Sequence, residues 1–121
     1  MKFRRVVITG LGAVTPIGND VPTYWTNLLS GVGGSAPITL FDSSAFKTHF
    51  ACEVKGFNPE EEFDRKELKK YDRYVQFALK ATREAIADSA LDVETVDSDR
   101  VGVVFATGVG GITSMENEME A

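Results

Sequence analysis

The apolar residues of this chain fall into uninterrupted runs and helical stripes. The first run lies in Phe3–Thr9, where Val6-Val7-Ile8 is continuous rather than alternating. That pattern predicts a strand covered on both faces, as in a parallel sheet. Val101-Gly102-Val103-Val104-Phe105-Ala106 has the same character. Between them, Val21, Trp25, Leu28 and Leu29 mark one face of a helix and are core candidates. Asn19 or Asp20 can cap that helix, Pro22 fits its first turn, and Ser30-Gly31 stops it. The strongest helical pattern runs from Lys66 to Ser89, through Leu68, Tyr71, Val75, Ala78, Leu79, Thr82 and Ile86. Phe50–Val54 predicts a short strand, residues 35–48 an irregular stretch, and Ile112–Glu120 a further helix.

Strand, helix, helix, strand, helix is the order of an α/β fold with a parallel sheet. No repeat or internal boundary divides residues 1–121. Two parallel strands are too few to close a sheet, and Met115–Ala121 carries no helix-stop signal. Both features predict a portion of a longer domain.

Composition narrows the classes. A chain of 121 residues, 43% hydrophobic and 26% charged, is globular and sufficient for one modest core. Only Val6-Val7-Ile8 follows the basic start Met1-Lys2-Phe3-Arg4-Arg5, too short for a signal peptide, and no apolar run is long enough to cross a membrane. The expected compartment is the cytoplasm. A single cysteine excludes an internal disulfide and a multi-cysteine zinc site, and no metal site is expected. The net charge of −5 argues against nucleic acid or an anionic membrane as partner.

The charge is unevenly spread. Glu60, Glu61, Glu62 and Asp64 are followed at once by Arg65, Lys66, Lys69, Lys70 and Arg73. On one continuous helix, Lys66, Lys69, Lys70 and Arg73 share a side.

Gly10-Leu11-Gly12 after the first run suggests a dinucleotide turn. That turn needs a third glycine opening a helix, so that backbone amides meet the pyrophosphate. Here Thr15 stands at the third position, and Pro16 removes an amide donor. A plain strand-to-helix turn is the better reading, and no cofactor is expected. Gly108-Val109-Gly110-Gly111 is a second glycine turn. Cys52, the only thiol, has Glu53 beside it and no helix start after it. Nothing there lowers a thiol pKa, so Cys52 is expected to be a small buried strand residue. His49 lies three residues away, which on one strand is the opposite face, and is expected on the surface. Tyr71, Tyr74 and Phe77 are expected to pack.

Four separated motifs carry a family resemblance. Arg4-Arg5-Val6-Val7-Ile8-Thr9-Gly10-Leu11-Gly12-Ala13-Val14-Thr15-Pro16-Ile17-Gly18-Asn19 resembles the amino-terminal signature of β-ketoacyl-acyl-carrier-protein synthases, in particular the elongating synthase II group. Phe41-Asp42-Ser43-Ser44, Lys66-Glu67-Leu68-Lys69-Lys70-Tyr71-Asp72 and Ala106-Thr107-Gly108-Val109-Gly110-Gly111 resemble later family segments in the same order. The resemblance implies the front part of the first half of a thiolase-like layered fold, incomplete in this chain.

It also implies an acyltransferase of fatty acid elongation, working as a cytoplasmic homodimer without cofactor. A cysteine thiolate takes an acyl group from acyl carrier protein; malonyl carrier protein then loses carbon dioxide and attacks the thioester, releasing a 3-oxoacyl product. The nucleophile and two histidines of that chemistry would lie beyond Ala121, so no catalytic residue is expected in this segment. The resemblance assigns docking of the acidic carrier protein to Lys66, Lys69 and Lys70, with Arg73 beside them. It assigns the wall of the acyl pocket to Val109, with Gly110 and Gly111 allowing close packing. Ala90 departs from the family's usual glycine at the end of the long helix.

Two other readings compete. One is a polyketide ketosynthase or chain-length factor, the latter lacking the nucleophilic cysteine. The other is a non-catalytic module gripping an acidic partner through Lys66–Arg73.

Overall fold

The computed structural model describes residues 3–120, so Met1 and Lys2 of the basic start and Ala121 lie outside the described residues. The described residues form four α-helices: α1 (Val21–Leu29), α2 (Arg65–Leu68), α3 (Arg73–Ser89) and α4 (Ile112–Glu120). The described residues form one sheet, a two-stranded antiparallel pair of β1 (Ala36–Pro37) and β2 (Phe50–Ala51).

Local signals place α1 well. Asp20 is its N-cap and accepts a 2.7 Å bond from the Thr23 amide, with Pro22 in the first turn. Gly31 follows the helix at φ +71°, the left-handed conformation that suits glycine. Its apolar stripe is not a core, however: Trp25, Leu28 and Leu29 are all exposed, because no other element covers that face.

The predicted helix over Lys66–Ser89 is two helices. α2 ends at Lys69, and α3 starts afresh after Asp72, whose backbone is extended. The Gln76 side chain donates to the Tyr71 carbonyl at 2.8 Å within the break. The apolar period continues across it, which is why the pattern reads as one helix. At the far end Ala90 takes the left-handed cap at φ 52° without a glycine.

The buried centre is small. Phe63 is the one buried apolar residue among the described residues, meeting Tyr71 edge-on at 6.1 Å, while Phe57 meets Phe77 edge-on at 5.0 Å. Tyr71 and Phe77 thus pack as predicted, and Tyr74 lies half-exposed against the second glycine turn.

The two continuous apolar runs are extended chain without a ladder: no backbone hydrogen bond joins Phe3–Thr9 to Val101–Ala106. Val6 is 94% exposed and Val104 95%. A strand is made by its neighbours, and among the described residues these segments lie against α3 rather than a paired strand. A groove of about 440 Å³ separates Gly12–Thr15, α3 and Phe105–Thr107. The total accessible surface is 10203 Å². A compact protein of this mass exposes roughly 6,400 Å².

Candidate functional site

The first glycine turn is seated on α3. A Cβ on Gly12 would overlap the Ala81 carbonyl, and one on Gly10 would lie 2.6 Å from the Ser89 amide. These glycines allow two backbones to touch. The turn's amides point into the same helix: Leu11 donates to Asp88 at 2.8 Å, and Ala13 to Glu84 at 2.9 Å. The other Glu84 oxygen accepts from the Val21 amide at 2.7 Å, at the start of α1. Donors that a dinucleotide turn would aim at phosphate are held by carboxylates, so this turn joins helices. The sequence alone did not reveal Glu84 and Asp88 in this role. Their spacing of one helical turn, matching Gly10-x-Gly12, is the signal they leave.

The basic cluster is split by the break between α2 and α3. Lys66 lies on α2, Lys69 caps its C-terminus, Lys70 follows in the turn, and all three are exposed. Arg73 does not share a helix face with them. It opens α3, with its guanidinium 4.9 Å from the Phe77 ring centroid and 5.9 Å from that of Phe57. Arg65 is exposed on α2 instead.

Several of the neighbouring acids are engaged internally. Glu62 pairs with Lys80, its carboxylate lies 3.9 Å from the Arg83 guanidinium, and its backbone carbonyl accepts from Arg83 at 2.8 Å. Glu61 accepts from the Asn58 amide group at 2.8 Å. Asp64 and Glu67 form a capping box on α2. Asp72 accepts from the Ser114 hydroxyl at 2.7 Å, a bond that holds its carboxyl below the usual carboxylate range. None of Arg65, Lys66, Lys69 or Lys70 joins an ion pair among the described residues. Four exposed cations without ion-pair partners among the described residues thus stand together on an acidic chain.

The second glycine turn leads into α4. Val109 is 70% exposed. A Cβ on Gly110 would lie 2.7 Å from the Thr107 methyl and 3.0 Å from the Tyr74 ring, and Gly111 sits at φ +75°. These glycines bring the turn against Tyr74.

Cys52 is exposed, which corrects its expected burial: β2 ends at Ala51, so Cys52 lies past the strand. Glu53 turns to Thr39, accepting from its hydroxyl at 2.6 Å. His49 is on the surface, as predicted, with Nδ1 2.9 Å from the Ser43 carbonyl oxygen. No His, Cys, Asp and Glu cluster among the described residues has the makings of a metal site. No helix among them is long and apolar enough to cross a membrane.

Comparison with known proteins agrees with the motifs. The family model described as "Beta-ketoacyl synthase, N-terminal domain" matches residues 3–121. A 3-oxoacyl-[acyl-carrier-protein] synthase 2 of Staphylococcus aureus (strain COL) is 47% identical over 113 residues, 93% of this chain and 27% of that protein. The protein of the same name from Coxiella burnetii is 46% identical over 121 residues, 100% of this chain and 29% of that one. Among solved structures, "The ishigamide ketosynthase/chain length factor" superposes with a TM-score of 0.67 at 38% identity, covering 75% of this chain and 23% of its own. The chain therefore spans little more than a quarter of the curated relatives it matches. On the match over residues 3–121 and these identities, the chain belongs to the β-ketoacyl synthase family and corresponds to its N-terminal domain.

Proposed function

We propose that this chain is the front part of a 3-oxoacyl-acyl-carrier-protein synthase of fatty acid elongation. It would be the opening portion of a thiolase-like layered domain with no internal boundary, in a cytoplasmic homodimer. Its own contribution is recognition rather than bond-making. Lys66, Lys69 and Lys70 receive the acidic acyl carrier protein, and Val109, Gly110 and Gly111 form part of the acyl pocket wall. Arg73, held on Phe57 and Phe77, stands at the margin of the docking surface.

One observation carries the reading. The three lysines are exposed and without ion-pair partners among the described residues, while Asp64 and Glu67 serve as helix caps and Glu62 is ion-paired to Lys80. Opposite charge on a partner speeds encounter and sets orientation.

In the complete enzyme a cysteine thiolate would displace the carrier thiol from an acyl thioester. Malonyl carrier protein would lose carbon dioxide, and the resulting carbanion would attack the acyl-enzyme carbonyl and expel the thiolate. Positioned donors stabilise the developing oxyanion in such chemistry. None of those groups is assigned within this chain.

The test is charge reversal of Lys66, Lys69 and Lys70 to Glu in the complete enzyme. At low salt the KM for acyl carrier protein is expected to rise at least about tenfold. Unchanged kinetics would overturn the docking role.

The resemblance to a ketosynthase/chain-length-factor structure favours a second reading, a polyketide relative. Acylation of the complete protein by acyl carrier protein thioester separates the two outcomes within it. A chain-length factor takes no acyl group; a ketosynthase does, and its chain-length preference then distinguishes elongation of fatty acids from polyketide synthesis.

A further inference from the structure

Resting on the carrier-docking reading, a second conclusion concerns what holds those lysines in place. α2 has four residues, far below the length at which a helix sustains itself. Asp64 Oδ1 accepts from the amides of Lys66 at 2.7 Å and Glu67 at 2.8 Å, while Glu67 Oε2 accepts from the Asp64 amide at 2.9 Å. The Glu67 carbonyl in turn receives the amides of Lys70 and Tyr71, each at 2.9 Å. The backbone amides of Lys66 and Lys70 are thus held by one residue pair, with Lys69 in the chain between them.

We infer that Asp64 is a positioning residue for the docking surface, acting through the capping box it shares with Glu67. Its charge has the wrong sign for an acidic partner, so its charge and its cap have opposite effects on binding. Removing the charge alone strengthens attraction to the carrier; removing the cap disperses the cations.

Asn keeps the capping oxygen without the charge, and Ala keeps neither. Binding of holo acyl carrier protein to the complete enzyme is measured for wild type, Asp64→Asn and Asp64→Ala, with the KM for carrier and kcat alongside. Asp64→Asn is expected to bind at least as tightly as wild type. Asp64→Ala is expected to bind about fivefold more weakly, the fraction of competent surface falling with the lost cap, and the effect falls on KM more than on kcat. Equal affinity of Asp64→Ala and Asp64→Asn overturns the inference. Should Asp64→Ala fail to fold, Glu67→Ala against Glu67→Gln repeats the comparison, and equal affinity there overturns it too. The triple lysine reversal is run in parallel. If it leaves the dissociation constant unchanged, the docking reading fails and this inference with it. If it weakens binding while Asp64→Ala matches Asp64→Asn, only the positioning role fails.

Discussion

Gly12 lies directly against the backbone carbonyl of Ala81, so close that a Cβ at position 12 would overlap it. Two backbones meet there, and neither has a flexible side chain with which to yield. Gly12→Ala in the complete enzyme is expected to destabilise the fold by about 3 kcal/mol, the upper range for overpacking a close contact. Thermal unfolding measures it, and an unchanged midpoint would show that the helix and turn do not press together.

Glu84 bridges the same turn to α1. Its carboxylate oxygens accept from Ala13 and Val21, which lie 71 and 63 residues before it in the chain. Glu84→Ala leaves two part-buried amides without their acceptor, at a cost of about 2–3 kcal/mol. Glu84→Gln keeps one acceptor oxygen and is expected to lose about half as much. Equal stability of the two variants in denaturant titration would count against the bridge.

Ala90 ends α3 with φ 52° and ψ 27°. A side chain costs about 1 kcal/mol or more in that conformation, and glycine does not pay it. Ala90→Gly is therefore expected to stabilise the protein by about 1 kcal/mol. A fall in stability would show that the Ala90 methyl contributes more than its conformation costs.

The Asp72–Ser114 bond predicts a dependence on acid. The Ser114 hydroxyl, then its amide, lowers the Asp72 carboxyl below its ordinary value of 3.8. A depressed carboxylate contributes stability that is complete above the unfolded value and is lost as pH falls through the folded one. The loss therefore lies below about pH 3.8. Ser114→Ala should return the Asp72 titration, followed by carboxyl NMR, toward the ordinary value. No movement would remove Ser114 as the cause.

Arg73 separates stacking from docking. Its guanidinium lies over Phe77 and Phe57, a contact worth about 0.5–1 kcal/mol at an exposed site. Arg73→Gln is expected to lower stability by about that amount while raising the KM for carrier far less than a change at Lys66, Lys69 or Lys70. A KM effect equal to theirs would return Arg73 to the docking surface.

What was legible in the sequence was local or carried by motif. Asp20 and Pro22 mark the start of α1 because a cap needs only its own first turn. The separated motifs identified the family, and the basic run from Arg65 to Lys70 located the candidate surface, because both are written in consecutive residues. Tertiary structure decided the rest. The apolar period passes unbroken through residues 66–89, yet the helix restarts after Asp72, whose carboxylate is committed to Ser114 in another element. That restart placed Arg73 over two aromatic rings, on a different helix from Lys66. The glycines of the first turn read as a bend, but contact with Ala81, Ala85 and Ser89 made them a helix-docking seat. Val6 and Val104 have the sequence of buried strands and remain exposed, because burial and ladder pairing depend on neighbouring elements. Composition and periodicity state what a segment is suited to; only the elements packed beside it determine whether that suitability is used.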